Sequence, residues 1–260
     1  MSQLIMEENA ELNDIISGDE DLESPRMNGI TVDLFARLDA RIDAMWQAAK
    51  RTDLWLHVTS YGMPADLYRD LMVQVYHYTR HNSLNQAMTV IGVSPEERPL
   101  LRFIYRHADG ELGHEQMVLH DLRSVGLLGR DIEVDDLPRL PATEALIGYL
   151  AGLSLRPDAG AVARLGYSYW AESVYEHIAP VLGAARSSLA LTDRQMTFFV
   201  AHSSIDEGHA HEVQQVVTKV VRTARQADAV FETARTTLWL TLEILNQAFQ
   251  AWSERHAEHR

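Results

Sequence analysis

Two distant stretches of this chain space histidine and acid in the same way: His107-Ala-Asp-Gly-Glu111-Leu-Gly-His114 and His202-Ser-Ser-Ile-Asp206-Glu-Gly-His209. In an α-helix this spacing sets the three positions on one face over two turns, spread along roughly 10 Å. Each helix then carries a carboxylate between two imidazoles. A fold that uses both must turn two remote helices toward a common pocket. A lone acid, Glu172, lies between them in sequence, at the end of Gly166-Tyr-Ser-Tyr-Trp-Ala-Glu172. Large apolar neighbours mark it as a buried acid in need of a partner. Glu176, one turn further on, is its rival.

The rest of the chain reads as helix. Val32, Phe35, Leu38, Ile42, Met45 and Trp46 stand mostly three or four residues apart. Pro64 opens a segment that runs to Ile91 and is closed by Gly92. Ser94 or Pro99 starts the next, which continues past His114 to Val125. Residues 127–140 are loop-like. Further helices are predicted over 143–154, 158–182, 192–224 and 227–255. Sustained period-two alternation is absent, and no Asn-Gly or Asp-Gly pair stands between two alternating runs. The expectation is an all-α, single-domain bundle of about seven helices over residues 30–260. Residues 1–29 precede it as an acidic, loosely ordered lead, with one helical turn near Leu12 to Ile16.

Composition narrows the chemistry. With 260 residues, 46% apolar and 23% charged, the chain can bury a sizeable core. A net charge of −14 argues against nucleic acid or an anionic membrane as partners. The absence of cysteine excludes disulfides, thiolate-bound zinc, cysteine-held iron–sulfur clusters and a thiol nucleophile. No stretch approaches twenty apolar residues, and the N-terminus lacks the basic region of a secretory signal. A cytoplasmic location is expected. Twelve histidines are many, and nine of them fall between His57 and His209.

Iron and manganese accept mixed imidazole and carboxylate ligands. Two such ions lie about 3.5–4 Å apart, with bridging acids between them and nitrogens at the flanks. Helical di-iron bundles supply a Glu from each of two helices and Glu-x-x-His from two others. Here the chain offers Glu111 with His114, then Glu172, then Asp206 with His209. An early acid is missing, because the segment 64–91 has none after Asp70, and His202 is placed in that slot. His77, His81, Tyr78, His107 and Tyr169 are expected around the ligands or in the substrate pocket, with Tyr105, Tyr167 and Trp170 as further wall residues. Zinc-hydrolase chemistry fails the pattern: after His114-Glu115 and His211-Glu212 the second histidine of H-E-x-x-H is replaced by Val118 and Gln215.

The segment from Gly62 to Tyr78 resembles the opening helix of the thiaminase II and pyrroloquinoline-quinone synthase superfamily, which has the haem-oxygenase-like fold. His202-x3-Asp206-x2-His209, Asp109-Gly-Glu111-Leu-Gly-His114 and Glu172 resemble the metal helices of its haem-oxygenase-like diiron oxidases. The resemblance covers residues 62–215. It implies a haem-oxygenase-like bundle holding two ferrous ions, with manganese as the alternative, on Glu111, His114, Glu172, His202, Asp206 and His209. It further implies a small-molecule substrate bearing an amine or carboxylate, dioxygen as co-substrate, room for an external electron donor, and N-oxygenation or oxidative C–C cleavage, as in biosynthesis. Several members place a histidine seven residues after the first Glu. Here that position is Val118, so His114, or else His120, must serve. A cofactorless oxidase of the same fold and a ferritin-like iron or manganese protein are the rival readings, with a non-catalytic binding module as a third. The long last helix either caps the bundle or pairs with a second copy as a homodimer.

Overall fold

The computed structural model describes residues 28–157 and 160–257, leaving aside the side chains of 203–209. The acidic lead therefore lies almost wholly outside the described residues. Those described form helices α1 (Gly29–Ala49), α2 (Asp53–Tyr61), α3 (Ala65–Thr79), α4 (Asn82–Met88), α5 (Arg98–Gly110), α6 (His114–Ser124), α7 (Pro141–Ser154), α8 (Gly160–Ala171), α9 (Val174–Leu189), α10 (Thr197–Val220) and α11 (Ala224–Ala257), with three short 3-10 turns. Strands are absent among them. The all-α expectation stands, and the helix number rises from about seven to eleven among the described residues, because three predicted helices are cut and α2 forms between the first two predicted ones.

The cuts have local causes. The segment predicted as continuous over 64–91 breaks at Arg80–His81 between α3 and α4. The one predicted through His114 stops at Gly110, turns through Gly113 at φ +91°, and restarts at His114. A positive φ costs glycine little and other residues more. The predicted helix 158–182 breaks at Glu172–Ser173. His107, Glu111 and His114 therefore do not share one face of a single helix, as their spacing predicts. They sit on a helix–turn–helix corner.

α11 forms the spine, packing against α8, α1, α7 and α3. It is built into the body of the bundle. One core gathers Leu34, Trp46, Phe103, Leu146, Leu165 and Val230 from α1, α5, α7, α8 and α11. The other gathers Val58, Leu67, Met72, Val118, Leu122 and Met196 from α2, α3 and α6 and the approach to α10. The cut at Glu111 carries the chain from the first core to the second.

At Gly166 the α8 and α11 backbones nearly touch. A Cβ added there would lie 2.0 Å from the carbonyl oxygen of Val230 and 2.8 Å from the amide nitrogen of Ala234. Backbone cannot swing aside, so Gly166→Ala should cost at least ~1–3 kcal/mol, the usual penalty of overpacking. Gly183→Ala, at an exposed helical site with nothing within 4 Å, should be neutral or stabilising by up to ~1 kcal/mol. Thermal unfolding followed by circular dichroism separates the two, and equal midpoints would refute the close approach.

Three imidazoles away from the acid cluster add a pH dependence. His77 bonds the Leu137 carbonyl at 3.1 Å, His177 stacks on Trp46 at 5.2 Å, and His81 stands between α3 and α4. Burial is the main cause that lowers the pKa of each. The unfolded chain then takes up protons near pH ~6.5 that the folded chain takes up only at lower pH. Their contribution to stability is full above that value and is lost as pH falls toward the folded pKa values. The thermal midpoint should be lower at pH 5.5 than at pH 7.5, with proton uptake on unfolding at the lower pH. An unchanged midpoint would contradict the burial of these rings.

Candidate metal centre

The corner between α5 and α6 brings Glu111 into the bundle. Its backbone N–H still bonds to His107 O at 3.0 Å, closing the last turn of α5. The carboxylate turns inward and is 7% exposed. Asn82, at the start of α4, donates its side-chain N–H to Glu111 Oε2 at 2.7 Å. Arg164 of α8, fully buried, donates to Asn82 Oδ1 at 2.5 Å and stacks on the Tyr167 ring at 4.7 Å. This order fixes the amide. Arginine can only donate and a carboxylate can only accept, so Asn82 must turn its oxygen to Arg164 and its nitrogen to Glu111.

Glu172, at the cut between α8 and α9, is also 7% exposed. His107 Nε2 lies 2.8 Å from its Oε1, and since a carboxylate accepts, the imidazole donates. His114 Nδ1 lies 3.5 Å from Glu111 Oε2. His202 of α10 meets His114 edge to face, with ring centroids 4.7 Å apart. Its Nδ1 donates to the Phe198 carbonyl at 2.6 Å, which leaves the lone pair on Nε2.

Two groups of donor atoms result, each within a span of 4.8 Å: Glu111 with His114 and His202, and His107 with Glu111 and Glu172. Glu111 belongs to both. Burial is the largest influence on its carboxyl and pushes the pKa up, as does the neighbouring Glu172. The hydrogen bond from His114 and the charges of His107 and His114 outweigh both and hold it below the usual range. Burial drives the His202 pKa down, which keeps the imidazole in its neutral, ligating form.

The structure thus brings together Glu111, His114, Glu172 and His202 from the predicted ligand set, and adds His107. Asp206 and His209 follow His202 along α10, and their side chains lie outside the described residues. Glu176 and His120 are exposed, and His120 faces the Arg194 carbonyl, so neither rival joins the cluster. His77 faces the 127–140 loop through Leu137, and the charges around His81, from Arg80, Asp135, Arg139 and Glu144, belong to that same side. Tyr169 donates to Asp39 Oδ1 at 2.7 Å and stacks on Phe35, turned toward α1. These three are corrections to the expected pocket. For His77 and Tyr169 the cause is helix phase, since one residue's rotation, about 100°, moves a side chain to another neighbour; His81 falls at the break between α3 and α4. Tyr105 is exposed. Tyr78, Tyr167 and Trp170 do line a cavity of about 190 Å³ that reaches Asn82, Glu111, Glu172 and His202.

Two supporting residues escaped the sequence pattern. Asn82 stands where an early acid was sought, and supplies an amide instead. Asp121 of α6, fully buried, accepts from Thr197 N at 2.9 Å, Thr197 Oγ1 at 2.7 Å and Phe198 N at 3.0 Å. It caps α10 from another helix and so sets the position of His202. Thr192 and Asp193, read as the start of that helix, form a separate 3-10 turn with its own capping box. No local signal marks Asp121, because its partners are 76 and 77 residues away.

No curated protein matches this chain. Among solved structures it is similar to a domain with a haem oxygenase-like fold from Shewanella denitrificans, at 38% identity over 84% of this chain and 93% of that one, with a TM-score of 0.78. A TenA homologue from Pseudomonas syringae shares 16% identity over 88% and 96% of the chains, at 0.69. Haem oxygenase-1 from Synechocystis, solved in complex with haem, shares 13% over 87% and 98%, at 0.60. The last two likenesses concern the fold alone. The family described as "Iron-containing redox enzyme" matches residues 69–242, which include every described member of both donor groups. By that match and by its likeness to the Shewanella domain, this chain belongs to the haem-oxygenase-like family of iron-containing redox enzymes.

Proposed function

We propose that the chain is a non-haem diiron oxygenase or oxidase that uses dioxygen to oxidise a small substrate bearing a carboxylate or amine. One observation carries this reading: a single buried carboxylate, Glu111, is shared by two groups of nitrogen and oxygen donors. Two cations with a bridging acid need such a layout. Haem takes one or two axial ligands and has no use for a second acid beside the first.

The donors fit iron. They are mixed imidazole and carboxylate, a set that iron and manganese both accept, and the family match favours iron. Glu111 is held ionised and His202 neutral, as ligation requires. The proposed ligands are Glu111, His114, Glu172, His202, Asp206 and His209. Ferrous iron bound there supplies electrons to dioxygen, and the substrate or an external donor supplies any others. The protein's own part is to hold the donors, exclude water and seat the substrate. Asn82 fixes one oxygen of Glu111, Arg164 fixes Asn82, and Asp121 fixes the start of the helix that carries His202. The walls of Tyr78, Tyr167 and Trp170 keep the approach to the acids dry.

Anaerobic loading with ferrous iron should give about two irons per chain, and admission of oxygen should then produce a transient visible absorbance in stopped flow. A count near zero would end the diiron reading. Asp206→Ala should lose iron uptake with helix content retained. Asn82→Ala removes the amide from Glu111 and should weaken iron binding ~10–100-fold, the usual effect of losing a group that orients a ligand. Iron affinity in that variant equal to the unaltered protein would remove Asn82 from the centre.

A further inference from the structure

Charge is divided unevenly along this chain. Residues 1–27 carry eight acids against one arginine, a net of −7 and half of the whole chain's −14. They lead directly into α1. The body of the bundle shows the opposite sign on one face. Arg98, Arg102 and Arg106 stand four residues apart on α5, all exposed, in a single stripe about 12 Å long. α10 lies alongside in the opposite sense. Arg106 pairs with its Glu212, and Glu97, just before α5, pairs with Arg222, just after α10, at 3.0 Å. Lys219 stands two turns beyond Glu212 on the same face of α10, and Arg222 and Arg225 follow it, all three exposed. Residues 97–106 and 212–225 together hold six cationic side chains and two acids, so Glu97 and Glu212 balance only part of the charge.

α1 starts beside this face. It runs parallel to α11: Arg37 donates to Asp228 Oδ1 at 3.0 Å and lies over the Phe231 ring, and further along both helices Trp46 and Thr241 line one cavity. Asn28 is nine residues, or about 14 Å, before Arg37. It therefore lies toward the start of α11, where Arg222 and Arg225 stand. We propose that residues 1–27 dock on the basic face, with the acids from Glu7 to Glu23 lying against the α5 stripe and the end of α10. Opposite charge selects the face, and the tether selects the occupant. Single exposed ion pairs hold weakly and are screened by salt. A segment fixed at one end beside its site meets it at an effective concentration that a free partner does not have. Its reach, up to about 90 Å when extended, covers the whole stripe. Docking braces from outside the two helices that carry His107 and His202, and nothing in it depends on a bound metal.

The chain has two lysines: Lys219 lies in this face, and Lys50 closes α1 at its other end. Carbodiimide coupling of the full chain, which joins a carboxylate to an amine in contact with it, should link Lys219 to acids between Glu7 and Glu23 and leave Lys50 without such links, as read by peptide mapping. The yield should fall ~10-fold as salt rises from about 0.01 M to about 1 M and the screening length drops from about 30 Å to about 3 Å. Arg102→Glu combined with Arg225→Glu, both at exposed positions, should lower the yield to a similar extent with helix content unchanged. A mixture of isotopically light and heavy chains separates links within a chain from links between chains. Links to Lys219 found only between chains would overturn the proposal in favour of a second copy. Absence of any link from residues 1–27 to Lys219 would overturn it and leave the face to a separate acidic protein. Equal yields at Lys50 and Lys219, or a yield that salt and the double variant leave unchanged, would show a segment without preference for the face and overturn it as well.

Discussion

Two carboxylates, Glu111 and Glu172, are buried beside each other in the middle of a helical bundle, and their mutual repulsion adds to the cost of taking them out of water. Desolvating even one ionised carboxylate costs several kcal/mol unless partners replace the lost hydration. The surroundings are organised around this cost. Asn82 and His114 attend Glu111, His107 attends Glu172, and the charge of Arg164 acts on both through space. Apolar residues of similar volume would serve stability better at both positions. Ionisable groups kept together in a core at such expense point to chemistry, and a bound cation is the partner that offsets both acids at once.

The bundle supplies this arrangement by interrupting its helices. Each acid stands at a cut, Glu111 between α5 and α6 and Glu172 between α8 and α9. A cut lets the chain change direction and present a side chain at an angle that a regular helix face does not provide. The donors therefore converge from three separate places, the α5–α6 corner, the α8–α9 cut and α10, which contributes His202 from an uninterrupted helix. The uninterrupted helix needs its own anchor, and Asp121 provides it from α6. The supports of the site thus lie on helices α4, α6 and α8, which links the geometry of the centre to the packing of much of the bundle.

The cavity shares one wall with the centre and continues away from it between α3 and α9. It is polar at one end, where Asn82, Glu111, Glu172 and His202 stand, and chiefly apolar along the rest.

Much of this was legible in the order of residues. Helical periodicity and the lack of alternating segments determined an all-α bundle. The repeated histidine–acid spacing picked out Glu111, His114 and His202, because ligand chemistry demands particular residue types at short separations, and the apolar run before it marked Glu172 as a buried acid. The same spacing read as one helix face was misleading for His107, Glu111 and His114, since the turn through Gly113 at positive φ is not visible in a periodic pattern. His77 and Tyr169 share residue types with true wall residues and differ from them in helix phase, while His81 falls at a helix break that periodicity did not show. Asn82, Arg164 and Asp121 act on partners 29, 82 and 76 residues away. Their roles exist only once the chain has folded, because a hydrogen bond between distant residues depends on where the helices come to rest and leaves no trace in local sequence.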